Sequence, residues 1–479
     1  MRRDGGNRAA ETAQRANTAR GLAPRGTPAA VPESLVRPRV AAPVYDVIIL
    51  GAGCAGLSSC LALLDAGADG PILLIDSRCE YRDDRTWCFW DVESTPFTHL
   101  ARSRWTTWQV RTADSVVQAT AQGTPYLCLA ANDFYAFALA SIAAHGNVEL
   151  RLGERAGDIR ECGGSAGAGV QSHEAERDRG ERAGLVEVTT ESGTFWAREV
   201  VDSRGLSLAS PEASAARSRS TWVPQQFVGL HIVADRPVFD PGECRLMDFG
   251  VDQSEGLRFM YVLPASPFEA LVENVYMCER RLDAEGYRRE IDAYLLAEFS
   301  LAEGDYEVIG EERGYIPMTD HRFVRRRSPH VTALGVLGGA TRPSTGYTFL
   351  GIQRASRELV DRLARNAQIV AAPRLAGVGA DDAFADGADG RAPACSLLDA
   401  VFLRFLADNP GRAPHVFGLL FGRVETGSLV RFLTERSGVL DHARLILALP
   451  KLPFLAAAAR VLTESRRRDP GGLPRARRR

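Results

Sequence analysis

This sequence contains almost no lysine, no excess of charge of either sign and no long apolar run. Lys451 is the only lysine, and arginine supplies the other basic residues. The 58 basic and 60 acidic residues leave a net charge of −2 at pH 7, which excludes the strong positive field typical of nucleic-acid-binding proteins. No run approaches about 18 consecutive apolar residues, so the sequence predicts no membrane-spanning helix.

The spacing of the cysteines argues against a metal site. Nine cysteines are dispersed along the chain without the paired spacing typical of metal ligands. An odd, scattered set of thiols is typical of a reducing compartment. The first 43 residues also lack the apolar core that a secretory signal requires. We therefore expect a cytoplasmic protein without a metal site.

The rest of the composition is typical of a globular protein with two or three domains. Apolar residues make up 45% of the 479 residues and charged residues 25%. Residues 1–43 are rich in Ala, Arg, Pro and Gly, so we expect a disordered extension there. The arginine-rich segment 466–479 predicts a basic tail.

A glycine-rich turn follows the first predicted strand. The apolar run 44–50 ends at Gly51, and Gly51, Gly53 and Gly56 open a helical stretch. In a dinucleotide-binding turn the first glycine makes the turn, the second lets the backbone approach a pyrophosphate, and the third lets helix and strand pack closely. Asp76 ends the next strand, where a carboxylate accepts a hydrogen bond from a ribose. We predict a dinucleotide site; a chance glycine turn is the alternative, and the motif alone does not separate FAD from NAD.

A second glycine cluster lies far downstream, in residues 335–347. A predicted strand enters it from Val331, and a predicted helix leaves it near Phe349. Such a return segment suits a flavin better than NAD, because its backbone amides can contact the isoalloxazine and ribityl end. A plain tight turn is the alternative. The candidate cofactor-binding residues of this segment are Gly338, Gly339, Ser344, Thr345 and Gly346.

One carboxyl group occurs within an apolar strand pattern. Glu273 follows Ala-Leu-Val, and the strand period of two predicts that it shares a face with Leu271 and Val275. A carboxyl group among apolar neighbours has a raised pKa, which suits a proton donor. The alternative is a solvated glutamate on an edge strand.

An aromatic strand predicts a substrate pocket. Residues 83–90 read Asp-Asp-Arg-Thr-Trp-Cys-Phe-Trp, a pattern that suits an apolar, π-rich or cationic ligand. Such a stripe is also typical of a core, which is the alternative. The candidate pocket residues are Arg85, Trp87, Phe89, Trp90 and Tyr347.

A further strand, 201–205, ends in Val-Asp-Ser-Arg-Gly. The acid, the arginine and the glycine lie where a predicted strand meets a loop, so Arg204 is a candidate cofactor-binding residue. A buried ion pair with Asp202 is the alternative.

The order of these patterns predicts an α/β fold. Short alternating runs between residues 221 and 275 indicate an antiparallel sheet, and beyond residue 355 the apolar period becomes helical. We expect a Rossmann-type FAD-binding domain with an inserted antiparallel β-sheet substrate domain and a helical C-terminal part. The predicted boundaries are 44–220 with 315–360 for the FAD-binding domain, 221–314 for the substrate domain and 361–465 for the helical part.

Six segments together resemble the bacterial-type lycopene β-cyclases of the FAD-dependent lycopene cyclase family, over about residues 45–462. Any one match could arise by chance, but six in the family's order do not. The sequence departs from the family after Glu273, where an acid and a threonine are common and Asn274 and Val275 occur here. The matching segments are 84–90, 201–205, 247–249, 261–264 with 269–273, 314–318 and 342–349.

The resemblance implies an isomerase, an intramolecular lyase that cyclises its substrate without net redox change. Glu273, as acid or base, would serve the protonation of C2 in an acyclic ψ end group. The C5=C6 double bond then attacks the C1 cation, and loss of the C6 proton leaves a β-ionone ring. Two such cyclisations convert lycopene through γ-carotene to β-carotene. The resemblance further implies FAD in its reduced form, with NADPH as the reductant.

A carotenoid substrate resides in a bilayer, so the resemblance implies work at a membrane surface. The segment 439–462 combines leucines with flanking basic residues and could lie in the interface, while the basic tail would add attraction to anionic lipid. A core helix and a solvated tail are the alternative. We expect a cytoplasmic protein that associates peripherally with the membrane, with other carotenoid-pathway enzymes as candidate partners.

Two other functions fit the same patterns. A redox flavoenzyme of similar fold, a monooxygenase or a polyprenyl reductase, would consume NADPH in proportion to its product. A non-enzymatic carotenoid-binding flavoprotein would not close rings.

Overall fold

The computed structural model describes residues 28–36, 44–162, 182–279, 283–365, 369 and 393–468. The strands are β1 Tyr45–Leu50, β2 Ile72–Asp76, β3 Thr86–Trp90, β4 Ser103–Trp105, β5 Thr107–Arg111, β6 Val116–Thr120, β7 Tyr126–Ala130, β8 Val148–Leu152, β9 Ala156–Glu161, β10 Val186–Thr190, β11 Thr194–Asp202, β12 Trp222–Ala234, β13 Glu243–Asp248, β14 Arg258–Pro264, β15 Glu269–Tyr276, β16 Tyr306–Thr319, β17 Arg326–Ser328 and β18 Val331–Ala333. The helices are α1 Glu33–Val36, α2 Cys54–Asp65, α3 Ala131–Ala143, α4 Pro211–Arg219, α5 Ala284–Phe299, α6 Phe349–Arg365, α7 Pro393–Asp408, α8 Ala413–Arg423, α9 Thr426–Leu433, α10 Val439–Ala448 and α11 Lys451–Arg468. Short 3₁₀ turns lie at Thr98–Leu100, Gly335–Gly338 and Pro410–Arg412.

The first sheet is built around parallel strands. Its order is β17-β18-β11-β1-β2-β8, and β10 and β9 extend it antiparallel beside β11. β1 pairs in parallel with both β2 and β11, and residues 47–50 of β1 are fully buried. This burial on both faces explains why β1 and β2 are continuous apolar runs. Helix α2 links these two strands and packs against α3 and α6, as in a doubly wound α/β fold.

The second sheet is antiparallel over most of its width, in the order β16-β12-β15-β14-β13-β5-β6. One face packs against Ile291 and Leu295 of α5. The other face, which carries Leu271 and Val275, packs towards α7, α8 and α9. β5 and β6, from within the segment 44–220, complete this sheet by parallel pairing of β5 with β13. A third, three-stranded sheet has the order β3-β7-β4.

Part of the N-terminal segment belongs to the fold. Ala29 forms a β-bridge with Tyr81, and Leu35 of α1 is buried in the same core cluster as β1. Residues 28–36 therefore differ from the predicted disordered extension, because Ala29 and Leu35 remove apolar surface from water. The parts of the predicted extension and basic tail that lie outside the described residues are 1–27, 37–43 and 469–479.

The C-terminal helices pack on one another and on the second sheet. Phe405 of α7 stacks on Phe454 of α11 with ring centroids 4.5 Å apart, and α8 packs against β5 and β6. Within the described ranges, no helix is both long and apolar enough to cross a membrane. The two main sheets and this helical region confirm the predicted α/β fold class.

Candidate functional site

A cavity of about 1140 Å³ extends from the glycine turn after β1 to the antiparallel sheet. Gly51, Gly53 and Asp76 line one end, and Tyr261 and Glu273 line the other. The dinucleotide motif and the candidate acid are far apart in the sequence, yet both border the same space.

The glycine turn has the geometry that a dinucleotide site requires. Gly51 has a φ of +88°, and a Cβ there would lie 2.8 Å from the Ser203 carbonyl oxygen. A Cβ on Gly56 would lie 1.9 Å from the Gly51 carbonyl oxygen, so α2 approaches β1 this closely only with glycine. Gly53, the N-cap of α2, lines the cavity, and a Cβ there would make an ordinary contact with Arg78 Nη2, at 3.5 Å. The N–H groups of the first turn of α2 therefore border an open space that suits an anion.

Asp76 ties this turn to the end of β2. Its Oδ2 accepts hydrogen bonds from the Ala52 N–H at 2.7 Å and from Arg78 Nε at 3.2 Å. Its Oδ1 accepts from the Arg78 N–H at 2.8 Å. Because a carboxylate has about four acceptor positions, Asp76 can still accept from a ligand hydroxyl in the cavity that it lines.

Arg204 makes the ion pair with Asp202. Its Nε and Nη2 donate to the two Asp202 carboxylate oxygens, each at 2.9 Å, and its Nη1 donates to the carbonyls of Ala156 and Gly157. The side chain also lines the cavity. The ion pair of the alternative is present, but the Arg204 side chain is 37% exposed and so is not buried; a contact between Arg204 and a cofactor stays a prediction.

The second glycine cluster divides between the cavity wall and a supporting turn. Residues 335–337 line the cavity, but Gly338 and Gly339 do not. The Gly338 carbonyl accepts from Arg325 Nε at 3.0 Å, and Gly339 reverses the chain with a φ of +75°. These two glycines lie in the supporting turn, since a Cβ on Gly338 would lie 2.4 Å from the Ala333 carbonyl oxygen. The predicted residues of this segment that do line the cavity are Ser344, Thr345, Gly346 and Tyr347.

A buried polar network fixes this segment against the C-terminal helices. Arg342 donates from Nη2 to Asp399 Oδ1 at 2.8 Å and from Nε to Oδ2 at 3.1 Å. It also donates to the Phe432 carbonyl. Ser344 Oγ donates to the same Asp399 carboxylate at 2.6 Å. The three polar side chains are at most 2% exposed, so helix α7 holds one wall of the cavity in position.

Strand β3 brings the consecutive residues 85–88 to the cavity wall. Arg85 and Trp87 are two of the predicted pocket residues, and Arg85 pairs with Asp84 at 3.0 Å. Thr86 and Cys88, which the pattern did not single out, line the cavity too.

Phe89 and Trp90 lie in the core instead. Phe89 stacks on Phe349 of α6 with centroids 4.5 Å apart, and Trp90 packs edge-on against Trp108 of β5 at the same distance. Both are at most 3% exposed and neither lines the large cavity. For these two residues the core alternative is correct, because aromatic rings from α6 and β5 cover them.

Glu273 occupies a buried position in β15. It is 7% exposed, and Leu271 and Val275 line the cavity beside it, as the period of two predicts. Burial raises the pKa of Glu273 well above its ordinary value, and the charge and hydrogen bond of Glu312 and the proximity of Cys128 raise it further. The raised pKa favours the protonated form of the carboxyl group, which is the form that a proton donor needs.

The carboxyl group of Glu312 lies next to that of Glu273. Glu273 and Glu312 of β16 are both register partners of Gly229 in β12, one from each side, and their carboxyl groups hydrogen bond. Glu312 Oε2 accepts from Thr86 Oγ1 at 2.8 Å and lies 3.4 Å from His231 Nε2. Burial opposes ionisation of Glu312, but the hydrogen bonds of His231, Glu273 and Thr86 outweigh it and lower its pKa. The opposite shifts of the two pKa values favour the proton on Glu273 and the negative charge on Glu312.

This proton makes stability depend on pH. Between the ordinary glutamate pKa of 4.5 and the raised pKa of Glu273, the folded chain keeps a proton that the unfolded chain releases. Stability therefore falls as pH rises, by about 1.4 kcal/mol for each unit of pKa difference. Glu312, with a lowered pKa, is ionised in both states over this range and contributes no slope.

We expect the Glu273→Gln variant to lose this pH dependence. Its free energy of unfolding should exceed that of the wild type by a margin that grows as the pH rises above the ordinary glutamate pKa of 4.5. Urea unfolding at several pH values measures the margin. A margin that stays constant with pH would contradict the shared proton.

The wall around Glu273 is mostly aromatic and apolar. The Tyr126 and Tyr261 hydroxyls are 2.9 Å apart, and burial raises the pKa of both phenols, so they stay neutral. Phe259, Met277 and Phe402 are among the apolar side chains of the wall. Such a space suits an apolar, π-rich ligand and a carboxylic acid that acts without bulk water.

Comparison with known proteins identifies the family. The profile described as lycopene cyclase protein matches residues 46–459. The chain belongs to the lycopene cyclase family. The resemblance drawn from six sequence segments is thereby confirmed.

Curated relatives in this family have low sequence identity to this chain, but their alignments cover most of it. The lycopene beta-cyclase of Pantoea ananas is 26% identical over 317 residues, which cover 64% of this chain and 72% of that protein. The lycopene beta-cyclase of a Paracoccus species is 28% identical over 436 residues, which cover 88% of this chain and 97% of that protein.

Solved structures show the same fold in other proteins. Aklavinone-11 hydroxylase, solved with FAD and aklavinone, superposes with a TM-score of 0.53 at 16% identity, covering 81% of this chain and 72% of that chain. A geranylgeranyl bacteriochlorophyll reductase-like protein of Thermoplasma acidophilum has a TM-score of 0.51 at 11% identity, covering 88% and 99%. The lycopene cyclase chain therefore has a flavoprotein-type α/β fold.

The two residues that depart from the lycopene cyclase pattern, Asn274 and Val275, lie on opposite faces of β15. Asn274 is fully buried on the face opposite Glu273, where it accepts from Arg258 Nε at 3.1 Å and donates to Glu290 of α5 at 2.7 Å. Glu290 also pairs with Arg258 at 3.3 Å, so α5 supplies a carboxylate on the face where position 274 has none. Val275 lines the cavity, whereas Asn274 does not. A valine at this position makes the wall more apolar than the family's threonine would.

Sequence reasoning missed three residues of this lycopene cyclase site: Gly229, His231 and Glu312. The available signal was Gly229, a glycine inside the apolar run 227–233 that became β12. A glycine within a strand often marks the close approach of another group. Here that group is the Glu273 side chain, 2.8 Å from where a Cβ would lie.

Proposed function

We propose that this family member is a lycopene β-cyclase, which closes the ψ end groups of lycopene into β-ionone rings without net redox change. The observation that carries the proposal is Glu273, a buried carboxyl group with a raised pKa in the apolar wall of a cavity that continues to a dinucleotide turn. The relatives named lycopene beta-cyclase support lycopene as the substrate. Cyclisation of both ends would give γ-carotene and then β-carotene, the reaction of an intramolecular lyase.

Glu273 would act first as the acid. It donates its proton to C2 of the end group and leaves a tertiary cation at C1. The C5=C6 double bond then forms the new bond to C1, and the C6 proton returns to the Glu273 carboxylate. The apolar wall supports this chemistry because it excludes the water that would trap the cation, and Trp87 offers π electrons beside it.

The residues at the other end of the cavity fit FAD. Gly53 lines the cavity at the N-terminus of α2, where a pyrophosphate would bind. Asp76 can accept from a ribose hydroxyl, and Thr345 and Gly346 would contact the flavin end. When bound in its reduced form, FAD supplies negative charge that stabilises a carbocation, and NADPH is the proposed reductant.

Helices α10 and α11 suit a membrane surface. Leu440, Leu447, Leu452 and Leu455 are between 64% and 81% exposed, a concentration of apolar side chains typical of an interaction site. Lys451 lies among them and donates to the Leu447 carbonyl at 3.0 Å. We infer peripheral association with the cytoplasmic side of the membrane, where other carotenoid-pathway enzymes would share the substrate. The contribution of the arginine-rich tail stays a prediction from the sequence.

Replacing Leu447, Leu452 and Leu455 together by serine should weaken binding to lipid vesicles at least about tenfold. A tenfold weakening corresponds to a loss of about 1.4 kcal/mol of binding free energy. Burial of three leucine side chains in the lipid contributes more than this. Co-sedimentation with vesicles of mixed zwitterionic and anionic lipid measures the partition coefficient.

The matched control replaces three exposed apolar residues elsewhere, Val116, Leu296 and Val324, which are between 53% and 58% exposed. This control should bind vesicles as the wild type does. Equal binding by both triple variants would argue against α10 and α11 as the membrane surface.

The function is tested by anaerobic incubation of the purified protein with lycopene-containing liposomes, FAD and NADPH or dithionite. We expect β-ringed products on pigment chromatography, with NADPH consumed only to reduce the flavin. NADPH loss in proportion to product would favour a redox flavoenzyme. Unchanged lycopene in the presence of reduced, bound flavin would exclude cyclisation.

A further inference from the structure

Two carboxyl groups meet at the cavity wall, and the proposed function uses only one of them. Glu273 lines the cavity, whereas Glu312 lies behind it on β16 and is 3% exposed. Burial of a second carboxylate beside the first is costly, because burial disfavours the charge and like charges repel. An amide or apolar side chain would fill the same space at lower cost. The negative charge of Glu312 therefore calls for a chemical explanation.

The sheet is arranged so that the two groups can touch. Neighbouring strands are about 4.8 Å apart, so β12 separates the glutamates of β15 and β16 by two such spacings. Their common register partner is Gly229, which has no side chain to block the space between them. A Cβ at Gly229 would lie 2.8 Å from Glu273 Cγ and 3.2 Å from its Oε1.

The surroundings hold the charge on Glu312. Thr86 Oγ1 donates to its carboxylate at 2.8 Å, and His231 Nε2 lies 3.4 Å from the same oxygen. Other titratable groups near the pair are thiols and a phenol, which ordinarily lose their protons only above neutral pH. They are Cys88 of β3, Cys128 of β7 and Tyr261 of β14.

We propose that Glu312 is a positioning residue, whose ionised carboxylate keeps the proton on Glu273 between turnovers and favours its return after ring closure. The proposal rests on the proposed cyclase function. In each turnover the Glu273 proton goes to C2, the electrons of the C6–H bond form the ring double bond between C5 and C6, and the released proton returns to Glu273. Glu312 keeps its charge throughout, so protons and electrons balance.

The pH profile of kcat tests this role with three variants. Glu312→Gln keeps the shape but removes the charge, so its alkaline limit of activity should fall by about one pH unit or more. Glu312→Asp keeps the charge and should keep the wild-type limit, even at a lower rate. The matched control is Glu307→Gln, since Glu307 lies on the same strand, is exposed and does not line the cavity, so it should leave the profile unchanged.

An infrared titration of the flavin-loaded full chain gives a readout that needs no turnover. The carboxylic acid band that Glu273→Gln removes should titrate at lower pH in Glu312→Gln than in the wild type. An unchanged titration midpoint, or a pH profile lowered uniformly at every pH, would overturn the proposal while ring closure by the wild type stands. Failure of the wild type to close rings would instead overturn the proposed function, and the infrared titration would still decide whether Glu312 holds the proton on Glu273.

Discussion

Replacing Glu273 by glutamine is expected to abolish ring closure and to leave FAD binding intact. Glutamine has nearly the same size and can still hydrogen bond Glu312, but it carries no acidic proton for C2 of the end group. A general acid typically contributes 10²–10⁴-fold to a rate, so turnover should fall by at least about a hundredfold. Pigment chromatography after anaerobic incubation with lycopene liposomes measures the turnover, and flavin absorbance of the purified protein measures FAD content.

The matched control for this variant is Glu269→Gln. Glu269 lies on the same strand and is 8% exposed, close to the 7% of Glu273, but it does not line the cavity. The control should cyclise at the wild-type rate, so that any loss in Glu273→Gln reflects the position and not the loss of a buried carboxyl group from β15. Normal turnover by Glu273→Gln would remove Glu273 from the mechanism.

The features that sequence could predict are those whose physical cause is local. Gly51 and Gly56 follow a strand at a fixed spacing, and the turn that they form needs no information from the rest of the chain. The face of Glu273 follows from the strand period of two, applied to Leu271 and Val275. These local rules also indicated a doubly wound unit, an antiparallel sheet and C-terminal helices, and hence the fold class, although not that β5 and β6 would join the antiparallel sheet.

The features that sequence could not predict depend on register between distant strands. Glu312 reaches Glu273 only because β16 and β15 flank β12 with Gly229 as their shared partner. The aromatic strand shows the same limit. Its pattern could not show that rings from α6 and β5 would cover Phe89 and Trp90, since those rings come from other parts of the chain.

The fold itself does not determine the chemistry. The aklavinone-11 hydroxylase fold matches with a TM-score of 0.53, so related architectures carry different functions. The features that support the proposed acid catalysis are local: a buried carboxyl group with a raised pKa, a second carboxyl group with a lowered pKa behind it, and an apolar wall. The pair depends on a single glycine, because any side chain at Gly229 would displace Glu273.

Replacing Gly56 by alanine is expected to remove bound FAD and thereby all cyclisation. The added Cβ would lie 1.9 Å from the Gly51 carbonyl oxygen and 2.9 Å from Ser203 Oγ. Helix α2 must then move away from β1, which displaces the N–H groups of its first turn from the proposed pyrophosphate site. Overpacking of this kind typically costs about 1–3 kcal/mol, so thermal unfolding should also occur at a lower temperature.

Gly123→Ala is the matched control, because a Cβ there would meet nothing within 4 Å. It should keep both the wild-type flavin content and the wild-type melting temperature. Circular dichroism of Gly56→Ala separates a folded chain without flavin from a misfolded one. Gly56 does not line the cavity, so flavin loss by a folded variant can act only through the position of the backbone, whereas wild-type flavin content would show that close packing of α2 on β1 is not required.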